Sequence, residues 1–262
     1  MSEPRASHFD DRIAPRFDDI YEHLPDADTA AHTLAQLAGK GRALELGIGT
    51  GRIALRLAAL GIEVHGVDLS DAMVAELRRK PGGPDIPVAM DDFAGFLLDT
   101  RYEVVYVVYN TFFDLTSQDA QVRCFASVAR HLNPGGVFVI EAFVPDHARL
   151  ARGSNVFGDI YGDVVRVDVS ESNACEQRLD ARHVMISEAG IEVFSVRIRY
   201  AWPAELDLMA RLAGLRLKER WADWAGNSFT SQSTAHVSVY VKPGVAALRE
   251  SQGPSPDRGG LK

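Results

Sequence analysis

Cysteine is scarce in this chain. Its 262 residues hold two, Cys124 and Cys175, far apart and outside any metal-ligand spacing. That excludes a disulfide scaffold, leaves two reduced thiols, and points to no metal. Positive charge is also short: 28 Lys and Arg face 36 Asp and Glu, a net charge of -8. With no basic surplus to neutralise phosphates, the balance argues against nucleic acid as substrate or partner. No apolar run approaches the roughly 20 residues a bilayer demands. The polar start MSEPRASHFDDR has no apolar signal core. The expectation is a cytoplasmic protein without a membrane partner, monomeric or homodimeric. There is no internal repeat.

What remains is an ordinary globular composition, 46% hydrophobic and 24% charged, enough for one large domain or a domain with an insertion. Residues 1–8 and the stretch after Val241, rich in Pro, Gly and charge, read as disordered. HFDDRIAPRFDDIYEHL reads as a helix broken near Pro15. Asp28 is then expected to cap TAAHTLAQLAG, with Gly39 ending it. From residue 43 to residue 141 strands alternate with helices: RALEL, IEVHGVDL, IPVAM, YEVVYVVYN and GGVFVIEAF are the strands. Ser70 or Asp71 is the expected cap of SDAMVAELRRK, and Thr116 and Asp119 have capping-box spacing at the start of the helix SQDAQVRCFASVARHL. This is the pattern of an α/β doubly wound parallel sheet.

After Glu141 the pattern changes to period two. DVVRVDVSESNACEQRLDARHVMISE and IEVFSVRIRYAW read as antiparallel strands with one wet face, an insertion of about fifty residues. PAELDLMARLAG is a helix with Pro203 first and Gly214 after its end. LRLKERWADW and AHVSVYV, separated by turn-rich AGNSFTSQS, read as a closing antiparallel pair.

The chemistry centres on ALELGIGTGRIAL, a buried strand, a glycine turn and a helix start. A dinucleotide fingerprint has G-x-G-x-x-G with a helix N-terminus on the pyrophosphate. Here the glycines are Gly47, Gly49 and Gly51, and Arg52 stands where the third glycine would be. Glu45, two residues before the first glycine, is a poor neighbour for a pyrophosphate and a good one for a cation. Asp68 ends the second strand about twenty residues on, where a carboxylate takes ribose hydroxyls. An adenosine carrying a positive group and no phosphate suits both; S-adenosylmethionine is such a molecule.

LELGIGTGR, VDLSDAM and LNPGGVFVIEAF resemble the class I S-adenosylmethionine-dependent methyltransferases, over residues 40 to 242 or so. The resemblance implies a Rossmann-like seven-stranded sheet with a reversed last strand, here with an inserted antiparallel β subdomain. It implies N-terminal helices covering the active site over 1–39, a cofactor-binding domain over 40–142 and 201–242, an antiparallel lid over 143–200 and a disordered tail over 243–262. By resemblance the three glycines and Arg52 approach the methionyl part of S-adenosyl-L-methionine. Glu45 supports its ammonium, directly or through water. Asp68 holds the ribose, Leu69 and Met73 pack near the adenine, and Tyr21 closes over the cofactor. Many relatives carry Gly-Asp-Met before Asp-Phe after the third strand; this chain has VAMDDF, with Ala89 where the Asp would be. Asp91 or Asp92 substitutes, or the backbone of Met90 or Asp91 meets the ring.

An antiparallel insertion before the last helix resembles aminosugar N-methyltransferases of antibiotic pathways, which carry a histidine after the fourth strand. Asp114 in YNTFFDL aligns there, able to bind a substrate ammonium and assist loss of its proton. The alternative is a turn residue. Asn110 contacts the cofactor or orients the substrate, and Glu141 ends the fifth strand beside them. His183 lies on an inserted strand that roofs the pocket. The leading expectation is N-methylation of an aminosugar or aminocyclitol. O-methylation of a sugar or polyketide-like hydroxyl, with His183 as base, is the alternative, and a non-catalytic cofactor binder is a third class.

Overall fold

The structure is a computed structural model describing residues 13–21, 26–162, 164–188 and 190–244. The expected tail from residue 243 lies outside these apart from Pro243 and Gly244, as do residues 1–8. A short 3₁₀ turn, Ala14–Arg16, leads into α1 (Phe17–Tyr21). Pro15 sits in the first turn, where its missing N–H costs nothing. α2 (Ala27–Ala38) ends at Gly39, whose φ is +60°. Asp28 does not cap it. Asp26, at φ 76°, precedes the helix, and Asp28 lies inside the first turn, paired with Arg56 at 2.8 Å. There it keeps the favourable helix dipole without N-cap geometry.

β1 (Ala43–Leu46) is buried at every position, because helices cover both faces of the sheet. α3 (Ala54–Ala59), β2 (Val64–Asp68), α4 (Asp71–Arg79), β3 (Val88–Met90), β4 (Tyr102–Val107), α5 (Gln118–His131) and β5 (Leu132–Phe143) follow in alternation. Ser70 is the cap of α4, its hydroxyl accepting the Met73 N–H at 3.2 Å. At α5 the expected Thr116–Asp119 capping box is replaced by Ser117, which accepts the Ala120 N–H at 3.2 Å. The helix starts one residue later, so Asp119 falls at its second position and reaches no cap.

α6 (His147–Leu150), β6 (Ser154–Tyr161), β7 (Val164–Asn173), β8 (Arg178–Ser187) and β9 (Gly190–Arg199) form the insertion, before α7 (Pro203–Leu212), β10 (Arg216–Trp221) and β11 (Ala235–Val241). α6 and β6 had no clear signal. In SNVFGDIY two adjacent apolar residues followed by Gly158 and Asp159 break the period of two.

Among the described residues the main sheet has seven strands in the order β10-β11-β5-β4-β1-β2-β3. β11 runs antiparallel to both neighbours. The doubly wound sheet with a reversed last strand therefore forms as expected. Strand order reverses between β1 and β4, which opens a crevice at the carboxyl ends of the strands. α5 and α7 pack on one face of the sheet, and α2 and α3 on the other.

β6 to β9 form a separate four-stranded antiparallel sheet. Its register puts Arg166, Met185 and Glu192 in one row and Asp168, His183 and Phe194 in the next, on one face. Met185 and Phe194 bury themselves with Ile13 and Ile20, so this face meets α1. No helix among the described residues is long and apolar enough to cross a membrane.

Candidate functional site

The glycine turn between β1 and α3 stands at the crevice. Gly47, Gly49 and Gly51 have φ of +69°, +55° and +79°, a region that side chains with a Cβ rarely occupy. Space enforces the choice too. A Cβ on Gly47 would stand 2.5 Å from Thr111 Cγ2, and one on Gly51 2.4 Å from Leu77 Cδ1. The turn is tied down from within. Gly47 and Ile48 donate their N–H groups to Val67 O at 2.8 and 3.2 Å, Gly49 donates to Asp68 Oδ2 at 2.7 Å, and Gly51 to Ile48 O at 3.0 Å. These N–H groups are used up, which removes the cradle a pyrophosphate requires.

Asp68 is thus both a strand-end carboxylate and the anchor of the turn; its Oδ1 also accepts the Ser70 N–H at 2.8 Å. Burial raises its pKa above the ordinary value, against the bonds from Ser70 and Gly49. Each carboxylate oxygen keeps a second acceptor position for a hydroxyl. Leu69 and Met90, at the adjoining ends of β2 and β3, are 43% and 47% exposed, an apolar pair open to solvent. Met73 is buried beneath Gly49. Asp91 ties its N–H to Asp68 O at 3.0 Å, while Asp92 Oδ1 accepts the Ala94 N–H at 2.8 Å.

Glu45 lies deeper than a strand mouth. It is only 3% exposed, beneath the turn, and accepts the Tyr106 hydroxyl at 3.0 Å. Burial pushes its pKa up to about 8, against hydrogen bonds from Tyr106 and the Ala54 N–H. Arg52 reaches the other way and stacks on the Tyr109 ring, 4.0 Å from its centroid. Burial lowers its pKa, while Glu141, Asp18 and Glu45 act in the opposite sense.

The end of β4 is strained. Tyr109 and Asn110 have φ of +55° and +64°, uncommon for residues other than glycine and concentrated at functional sites. β5 holds them there. Tyr109 N–H donates to Glu141 Oε2 at 3.1 Å, Asn110 N–H to Glu141 O at 3.3 Å, and Phe143 N–H to Asn110 Oδ1 at 2.7 Å. Burial pushes Glu141 up to about 7, against a hydrogen bond from Trp224 and the charge of Arg52. Asp114 ends the 3₁₀ turn Thr111–Asp114 that follows, half-buried, and that turn packs against β5 and β9.

α1 lies over the glycine turn. Thr50 Oγ1 donates to Asp18 Oδ1 at 2.7 Å, Lys80 pairs with Asp18, and Lys80 Nζ donates to Thr50 O at 2.8 Å. Tyr21 ends α1, but its side chain lies outside the described residues. His183 is on the other sheet, beside Phe194, with ring centroids 4.8 Å apart. Its Nδ1 meets Asp168 Oδ1 at 2.6 Å, and Arg166 Nε donates to the same oxygen at 2.8 Å. Burial works to raise the Asp168 pKa, but the bonds from His183 and Arg166 outweigh it and hold the carboxyl below its ordinary value.

The strand ends therefore bring together the glycines, Glu45, Arg52, Asp68, Asn110 and Glu141, with Asp114 one turn away. His183 stays on the inserted sheet beside α1. Tyr109, Trp224 and Asp168 are participants that sequence reasoning passed over. Asp168 was within reach, since a hairpin turn at 173–178 sets it opposite His183.

A family model described as a methyltransferase domain matches residues 43–136. The chain is 40% identical to the CcbJ methyltransferase from Streptomyces caelestis, over 90% of this chain and 98% of that one, with a TM-score of 0.83. The chain belongs to the S-adenosylmethionine-dependent methyltransferases. Cypemycin N-terminal methyltransferase from a Streptomyces species is 28% identical over 91% of this chain and 98% of its own. An amino pentose methyltransferase from Micromonospora echinaspora, solved with S-adenosylmethionine bound and involved in calicheamicin biosynthesis, is 25% identical. That likeness covers 86% of this chain and 96% of that one, with a TM-score of 0.65. In this methyltransferase the residues present fit the family's donor. The turn has its N–H groups committed, two carboxylates stand near it, and an exposed apolar pair lies beside Asp68. That is a site for a nucleoside with a cationic arm rather than a phosphate.

Proposed function

We propose that this methyltransferase transfers a methyl group to the amine nitrogen of a small molecule, an aminosugar or aminocyclitol of a natural-product (antibiotic) pathway. The glycine turn and Arg52 hold the methionyl part of the donor with Glu45 beneath. Asp68 holds the ribose, Leu69, Met73, Met90, Asp91 and Asp92 line the adenine, and Tyr21 closes over it with the N-terminal segment. Bound S-adenosylmethionine supplies a methyl group on a positively charged sulfur. The chain's own work is to align the acceptor, exclude water and take a proton.

The carrying observation is Glu141, a strand-end carboxyl held at about 7 with Asp114 one turn away. An ammonium with a pKa near 10 must lose a proton before its nitrogen can attack. Asp114 binds that ammonium, Glu141 or Asp114 receives the proton, and Asn110 orients the acceptor. Two relatives named for an N-terminus and an amino pentose point the same way. A second reading, O-methylation, draws on His183: with Nδ1 on Asp168, its Nε2 can serve as a base toward a hydroxyl.

The test is methyl transfer by purified protein to a panel of aminosugars, aminocyclitols and their hydroxyl analogues, read by mass spectrometry. Amine-only products are expected, and hydroxyl methylation would favour the second reading. Asp114→Asn should lower turnover by about 10²-fold or more and leave S-adenosylhomocysteine affinity unchanged; full activity would reduce Asp114 to a turn residue.

A further inference from the structure

The carboxyl ends of the parallel strands hold the donor crevice, and the opposite end of the sheet holds a second cleft. Its volume is about 1130 Å³. One face of α5 lines it, where Arg123, Ala126, Ser127 and Arg130 recur at helical spacing. The stretch from Gly95 to Arg101, the end of α7 and Lys242, just past β11, complete the lining. β4 runs from this cleft to the crevice, roughly 20 Å of strand.

The cleft gathers positive charge. Arg101, Arg123, Arg130 and Lys242 line it against one carboxylate, Asp99, in a chain whose net charge is -8. None of the four cations makes an ion pair among the described residues. Arg101 Nη1 donates to Arg130 O at 2.8 Å and to Leu132 O at 3.5 Å. Lys242 Nζ donates to Ala129 O at 2.6 Å and to the same Leu132 O at 2.8 Å. Two cations thus converge on the end of α5. Arg130 Nη2 donates to Ser127 Oγ at 2.9 Å. Arg123 is exposed, with no hydrogen bond or ion pair among the described residues.

A helix C-terminus attracts cations, but it carries only about half a negative charge. It explains where Arg101 and Lys242 stand and leaves most of the four positive charges unbalanced. Burial and the Arg101 charge both lower the Lys242 pKa, and no carboxylate acts against them. The three arginines retain N–H donors beyond the bonds they make.

Apolar surface stands beside this charge. Leu97 and Leu212 also line the cleft. At 77% and 76% exposed, they are the two most exposed large apolar side chains among the described residues. An inorganic anion would use the cations and leave the leucines wet; a neutral apolar molecule would do the reverse. A cleft of this size suits a small molecule that does both.

We propose that this cleft is a second ligand site, one that takes an amphiphilic anion. A phosphate or carboxylate head meets Arg101, Arg123, Arg130 and Lys242, and an apolar chain covers Leu97 and Leu212. The site is separate from the donor crevice and does not depend on which atom the enzyme methylates.

The experiment is calorimetry on the full chain saturated with S-adenosylhomocysteine, with octyl phosphate, inorganic phosphate and octanol as probes. Octyl phosphate should bind about tenfold or more tightly than inorganic phosphate, and octanol should not bind measurably. Arg123→Glu should weaken octyl phosphate by about tenfold or more. Leu97→Ser should bring its affinity down to that of inorganic phosphate. Both side chains are exposed, so melting temperature and S-adenosylhomocysteine affinity should stay at the parental values. Lys40→Glu, the same charge reversal at an exposed residue outside the lining, should change nothing. Co-sedimentation with vesicles, with and without phosphatidic acid, separates the two sources of such an anion. Retention on phosphatidic acid alone assigns a lipid headgroup; octyl phosphate binding without retention assigns a free molecule. The proposal is overturned if octyl phosphate does not bind, binds no better than inorganic phosphate, or binds the parent, Arg123→Glu and Leu97→Ser alike.

Discussion

The two sheets of this protein bury themselves in opposite ways. Every residue of β1 is buried, and its one charged residue, Glu45, is matched by the Tyr106 hydroxyl. The inserted sheet buries one face against α1 and leaves the other open: Val156, Ile160 and Ile191 are 67%, 71% and 68% exposed. The parallel sheet holds the donor turn in one geometry through buried contacts on both sides. The insertion stands beside the site and touches that core through Leu150 of α6 and Ile198 of β9.

The sharpest way to break the contrast is Gly51→Val. A left-handed φ and a neighbour at 2.4 Å together should cost roughly 2–5 kcal/mol, read by chemical denaturation, with donor binding lost. A tolerated valine would mean that the turn is not rigid. Asp68→Ala comes next. It strips the Gly49 N–H of its partner, and the expected loss of roughly 1–3 kcal/mol should appear as ten- to hundredfold weaker S-adenosylhomocysteine binding by calorimetry. Unchanged affinity would remove Asp68 from the donor site.

Glu141→Gln sharpens the comparison through pH. The folded pKa, about 7, lies above the ordinary 4.5, so the native state holds this proton more tightly than the unfolded chain. Glu141 costs nothing below about pH 4; its cost grows as pH rises and is complete above about 7. The glutamine variant should therefore gain about 1–3 kcal/mol at pH 8 and nothing at pH 4, measured by denaturation at both. The smallest effect is expected on the open face of the insertion. Ile160→Thr should change stability by less than about 0.5 kcal/mol and leave donor affinity alone. A large loss there would show that this face is covered.

Much of the donor half was legible because local rules and tertiary packing agree. The run of ALEL requires burial on both faces, the glycines require left-handed backbone, and Ser70 is a cap by its place before an amphipathic helix. The caps at Asp28 and Thr116 were misplaced because several capping residues lie side by side, and only the helix's packed face decides which one begins it. β6 was missed because its pattern is interrupted and it exists by pairing with β7. His236 gave no signal at all, since an unmatched nitrogen is a property of neighbours remote in the chain.

By itself the sequence determined the alternation of strands and helices, the reversed closing pair, and a glycine turn flanked by Glu45 and Asp68. These follow from periodicity, backbone sterics and charge within short stretches of chain. Only the tertiary structure decided that the turn's N–H groups are spent on Val67 and Asp68, that Glu141 is held near neutrality, that Asp168 backs His183, and that His236 is buried with Nε2 making no hydrogen bond among the described residues. Those are matters of burial and of partners brought together by the fold, and electrostatics and hydrogen bonding depend on such distances.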